Sequence, residues 1–175
     1  MLTVAHGGCR TGMGRRSLRS LALIATVSAA GWWAGAQRQA TEPLVRVIEA
    51  VDGDTIVVAF DDGRTDTVRI LGVDTPETKD PEQGVECFGP EAAAYTASQL
   101  TGRVVELERD VELRDLYDRR LAYVSVDGRD FSEELLRRGL ARFLVIDPNR
   151  AHARDLLAAE LTARRTNRGL WRACD

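Results

Sequence analysis

Histidine and cysteine are scarce, with two and three residues in a chain of 175. His6 and Cys9 lie near the start, which leaves His152, Cys87 and Cys174 widely separated along the rest. That count is too small for a structural zinc site, which needs four nitrogen or sulfur ligands. It also offers no Ser-His or Cys-His pair from which nucleophilic catalysis could be built. Positive charge is not in surplus either, with 24 Lys and Arg against 27 Asp and Glu. A sequence-blind nucleic-acid-binding module would be basic. Internal repeats, low-complexity stretches and a Pro/Gly-rich linker are all missing, as is a second long apolar run.

The first 36 residues differ from the rest. Arg10, Arg15, Arg16 and Arg19 make a basic start without acids, an apolar stretch runs from Leu21 to Ala34, and Ala34-Gly35-Ala36 follows. This three-part layout reads as an export signal, with an uncleaved N-terminal membrane anchor as the alternative. Arg15-Arg16 is a loose match to a twin-arginine signal, and Met13 is a second possible start. Both readings put the remainder outside the cytoplasm, either secreted or anchored. Residues 37–43 form a short spacer, and residues 44–175 form one domain. Without residues 1–36 the chain keeps 20 basic and 27 acidic residues, so positive charge must be localised at a site or supplied by a metal. Cys87 and Cys174 survive that removal as an even pair bound for an oxidising compartment. A disulfide is the default reading, with two free thiols or an intermolecular link as the alternatives.

Alternating apolar residues predict strands from Val45, over Thr55 to Phe60 and over Thr65 to Val73, the last with one buried face. Asp52-Gly53-Asp54 and Asp62-Gly63 are the turns between them. A helix is expected from Pro90 to Gly102, then strands over Val104 to Glu108 and Arg120 to Val126. Asp130 with Glu133 suggests a capped short helix that ends at Gly139. Asn149 is expected to cap a longer helix that runs to Gly169. The order fits a mainly β fold with helices: a five-stranded Greek-key barrel of the oligonucleotide-binding type plus three helices.

Four carboxylates sit at strand ends, in Asp52-Gly53-Asp54-Thr55 and Asp74-Thr75-Pro76-Glu77. Taken alone, each is an ordinary solvated turn. Together they offer the hard oxygen donors that calcium takes. Arg69 lies inside an apolar strand and needs a partner, either a local carboxylate or a phosphate gripped by two parallel hydrogen bonds. Tyr117-Asp118-Arg119-Arg120 offers a second arginine beside an aromatic.

These stretches resemble the thermonuclease, or staphylococcal-type nuclease, family. The resemblance continues through Phe88-Gly89-Pro90-Glu91-Ala92, Asp115 to Tyr123, Asp127-Gly128, Gly139-Leu140-Ala141 and Gly169-Leu170-Trp171, across residues 44–171. It implies calcium-dependent hydrolysis of DNA and RNA by a monomer with one ion and no obligate protein partner, leaving 3′-phosphate ends. By the same resemblance Asp54, Asp74 and the Thr75 carbonyl would hold the metal, with Asp52 behind them. Glu77 would act as general base, and Arg69 and Arg119 would grip phosphate. Tyr117 would stand near a terminal phosphate, and Phe143 is the one aromatic available near the base.

Three departures stand out: Asp118 where the family has glycine, Phe143 where it often has tyrosines, and Leu116 where it often has lysine. Asp118 and the thin aromatic platform support the rival expectation of a single-stranded nucleic-acid-binding barrel that has lost catalysis.

Overall fold

A computed structural model describes residues 44–78 and 84–174. The leader (residues 1–36) and the spacer (residues 37–43) lie outside them. The strands are β1 (Val45–Ala50), β2 (Thr55–Ala59), β3 (Thr65–Ile70), β4 (Val73–Asp74), β5 (Val104–Glu108), β6 (Arg120–Val126), β7 (Arg129–Asp130) and β8 (Arg142–Phe143). The helices are α1 (Gly89–Leu100), α2 (Phe131–Arg138), α3 (Ala153–Arg165) and the single turn α4 (Leu170–Ala173). Among the described residues no helix is long and apolar enough to cross a membrane.

The strand order is β3-β2-β1-β5-β6, with β7 appended, and a parallel pairing of β3 with β6 closes the ring. This is the expected five-stranded barrel with three helices outside it. β1 pairs with both β2 and β5, and its register shifts between Val47 and Glu49. Such a bulge bends a strand enough to serve two neighbours in a closed sheet. Val47, Ile56, Val58, Val68, Ile70, Leu107, Leu121 and Val124 are buried in the hydrophobic core. Phe131, Leu135 and Leu136 of α2 join them.

Three local expectations need correction. β3 does not keep one polar face at its end, because Arg69, Ile70 and Leu71 are all buried. There β3 meets β6 at the seam, and the chain passes under α2, where the Ser132 hydroxyl donates to the Leu71 carbonyl. Asn149 does not cap α3. Its side chain accepts from the Glu112 amide and donates to the Glu112 carbonyl, fastening a neighbouring loop, and His152 takes the cap position. Finally, α3 stops at Arg165, and Gly169 instead opens α4.

The cap of α2 is as expected, with Asp130 accepting from the Glu133 amide and Gly139 left-handed at the other end. Cys87 and Cys174 are bridged, with Cα atoms 5.9 Å apart. The bridge ties the segment before α1 to the segment after α4.

Candidate functional site

The turn between β1 and β2 has a built shape. The Asp52 carboxylate accepts from the Asp54 amide at 3.0 Å, a local turn bond that aspartate makes readily. The Thr96 hydroxyl of α1 donates to the Gly53 carbonyl at 2.7 Å. A Cβ at residue 53 would stand 2.6 Å from the Thr75 side chain, so only glycine lets the two acidic segments close on each other. That contact brings Asp54 to Thr75. The Asp54 Oδ2 accepts from the Thr75 amide at 2.9 Å and from its hydroxyl at 3.1 Å.

Arg69 projects from the end of β3 into the same place. Its guanidinium donates to the carbonyls of Ile70 and Val73 at 2.9 and 2.8 Å. Its second nitrogen stands 3.2 Å from Asp54 and 3.3 Å from Asp74. Buried polar groups need such partners, and here local carboxylates supply them. Arg119 stands just ahead of the neighbouring seam strand β6. Its Nε donates to Asp115 at 2.6 Å, and another nitrogen reaches the Thr55 hydroxyl at 3.5 Å. Burial alone would raise the Asp115 carboxyl. The Arg119 guanidinium and the amides of Arg119 and Tyr117 outweigh it and hold Asp115 below the usual carboxylate range.

Asp52, Asp54, Arg69, Asp74, Thr75, Glu77 and Arg119 line one cavity of about 220 Å³. Beside it runs a wider groove of about 770 Å³, which shares Arg69 and Arg119 and adds Tyr117, Leu116, Leu144 and Ile146. The Arg119 guanidinium lies 5.4 Å from the centre of the Tyr117 ring. Phe143 lines neither space. It sits on β8 opposite Val73 and packs against the core.

Both backbone polar groups of Glu77 are held by Glu86. Its amide donates to the Glu86 carboxylate at 3.0 Å, and its carbonyl accepts from the Glu86 amide at 2.8 Å. No motif in the sequence pointed to Glu86. Asp118 has a left-handed backbone, φ 63°, and its exposed carboxylate stands 3.5 Å from Arg114. The partner of Arg119 is therefore Asp115.

The donor set suits a hard cation. Burial pushes the Asp54 carboxyl up to about 6 despite Arg69, and the nearby charges of Asp52 and Asp74 add to the rise. Carboxylates crowded in this way favour a divalent ion among them. Among the described residues no three His, Cys, Asp or Glu side chains stand close enough together to hold a metal ion by themselves. Backbone oxygen and water would have to fill the remaining positions.

The pattern of the staphylococcal nuclease homologue family matches residues 67–173. The chain is 39% identical over 132 residues to a thermonuclease of Staphylococcus hyicus, a match that covers 75% of this chain and 78% of that one. It is 38% identical over 125 residues to a thermonuclease of Staphylococcus intermedius, covering 71% and 74%. It is also similar to endonuclease YncB of Bacillus subtilis, 40% identical over 129 residues, covering 73% of this chain and 61% of that one. The family match starts inside β3, crosses the barrel seam and ends with α4, and on that ground the chain belongs to the family of staphylococcal nuclease homologues.

Proposed function

We propose that the chain is an exported, monomeric nuclease that hydrolyses phosphodiester bonds of DNA and RNA with one calcium ion and leaves 3′-phosphate ends. The observation that carries this reading is the single cavity that gathers four carboxylates and two arginines beside a groove bearing Tyr117. Similarity to thermonucleases and to an endonuclease supports the same chemistry. Export rests on the character of residues 1–36.

Asp54, Asp74 and the Thr75 backbone carbonyl would hold the ion, with Asp52 behind them. Bound there, calcium supplies charge for a phosphate oxygen and polarises water. Glu77 accepts a proton from the attacking water, directly or through a second water. Phosphorus is attacked in line, the 5′-oxygen departs, and the phosphate stays on the 3′ side. Arg69 and Arg119 bind the equatorial oxygens, where negative charge grows. Tyr117 lines the groove beside them and positions the strand. No histidine is needed, which agrees with the place of His152 outside this cavity.

The test is digestion of single-stranded DNA and RNA with calcium and then with a chelator. Cleavage that stops on chelation and returns with calcium is expected. Glu77→Gln should lower the single-turnover rate by roughly 10²-fold. Binding without cleavage in calcium would favour a non-catalytic nucleic-acid-binding barrel. A Glu77→Gln rate within about threefold of the parent would remove Glu77 as the base.

A further inference from the structure

Charge is divided unevenly along the chain. Residues 44–130 carry 10 basic and 20 acidic side chains, whereas residues 131–174 carry nine arginines and five acids. Such asymmetry between the parts of a chain marks a surface for a polyanion.

The fold concentrates that charge where α2 and α3 end. The Leu170 amide donates to the Gly139 carbonyl at 2.8 Å, which joins the end of α2 to the start of α4, five residues past the end of α3. Near this junction the ring of Trp171 has the Arg164 guanidinium 4.1 Å and the Arg142 guanidinium 5.3 Å from its centre. Guanidinium planes held against an aromatic ring are preorganised donors for phosphate.

Several arginines here have local partners. Arg138 pairs with Glu134, Arg164 pairs with the buried Glu160 at 3.1 Å, and Arg165 bonds a carbonyl of its own helix. Arg142 and Arg168 do neither. Both are exposed, both lie outside the helices, and neither has a carboxylate partner among the described residues.

The junction also connects to the cavity. Arg142 on β8 is the cross-strand partner of Asp74 on β4. Directly opposed residues present their side chains on one face of the ladder. Asp74, which lines the cavity, therefore stands beside Arg142, whose guanidinium lies over the Trp171 ring.

We propose that Arg142 and Arg168 form a phosphate-binding track for the single-stranded nucleic-acid backbone beyond the scissile phosphate, while Arg164 stays paired with Glu160 and braces the Trp171 ring. The track rests on the nuclease reading for its ligand. It gives an acidic domain a local basic path by which long strands bind more tightly than short ones.

The test uses a non-cleavable strand of about 20 nucleotides and a non-cleavable dinucleotide, each titrated with calcium over a range of salt. The double variant Arg142→Gln with Arg168→Gln should bind the long strand about tenfold more weakly at low salt. Its salt slope should fall by roughly 1.4, the value for two lost single-strand phosphate contacts. Dinucleotide binding should not change, and Arg142→Lys with Arg168→Lys should keep most of the affinity.

An unchanged slope and affinity for the long strand would overturn the track. Equal weakening on the dinucleotide would also overturn it, since the variant would then be disturbing the cavity. Arginine-dependent binding to phosphatidylglycerol vesicles with strand binding intact would assign the surface to membranes instead. Absence of cleavage by the parent protein would count against the nuclease reading, while the binding slopes would still decide the track.

Discussion

Arg69 shows how one residue type can serve two needs. Buried in the barrel wall, it is already held by two backbone carbonyls and two aspartates. The planar fork reaches all of them at once, which a lysine ammonium cannot do. Arg69→Lys and Arg119→Lys are therefore expected to lower turnover at saturating substrate by at least about tenfold, read by single-turnover cleavage. Near-parental rates in both would remove the clamp. The sequence marked Arg69 because it interrupts an apolar strand. It could not choose between a carboxylate and a phosphate partner, since that choice depends on residues brought in by folding. Asp118 was legible as a charge at a position where the resembling family has glycine. The structure adds a left-handed backbone, which favours glycine, and an exposed carboxylate near Arg114. Asp118→Gly fits that turn and removes a like charge beside the substrate groove. Tighter oligonucleotide binding at low salt is expected, measured by titration with a non-cleavable analogue. Equal or weaker binding would clear Asp118 of any handicap.

At the level of elements, the strands and turns were readable because side chains alternate and Asp-Gly pairs mark reversals. The errors came where a side chain was used at long range. Asn149 looked like a helix cap, but its amide is spent on Glu112. His152 takes the cap position and does more than end a loop. Its ring lies 4.0 Å from that of Tyr123, and its nitrogens meet Asp130 at 2.7 Å and Glu108 at 3.2 Å. One imidazole thus joins β5, the cap of α2 and the start of α3. The hydrogen bond to Asp130 raises its pKa to about 9, against the effect of partial burial and with help from the Glu108 charge. A raised pKa means the folded protein binds the proton more tightly than the unfolded chain does. The stabilisation is complete below the ordinary histidine value near 6.5 and is lost as pH rises through about 9. Denaturant unfolding should show stability falling by at most ~3 kcal/mol across that window, a ceiling lowered by solvent exposure. In His152→Gln this part of the pH dependence should vanish. An unchanged slope would place the titration elsewhere.

At the level of the whole molecule, the chain announced a barrel through strand order, but nothing local announced how it shuts. Closure pairs Val68 with Arg120 and Arg69 with Leu121, residues far apart in sequence. Asp66 fastens the same seam through Arg114 and Arg120, and those two hydrogen bonds outweigh burial to hold its carboxyl below the usual range. Neither arginine stood out as its partner before folding. Arg69 is next to last in one seam strand, and Arg119 directly precedes the other. All four carboxylates come from the first meander and the segment after it, whereas the second arginine arrives only when the seam forms. On the proposed reading, a chain folded up to that last pairing can already gather its acids but cannot cut. Refolding from denaturant should therefore return cleavage with the slowest phase of barrel formation and not with the earlier gain of strand signal. If cleavage reappeared before closure, the seam would not be what arms the enzyme. If closure does arm the site, then on the exported-nuclease reading a nascent copy that has not yet closed is harmless to the nucleic acids around it, because the fold itself withholds the blade until the ring is complete.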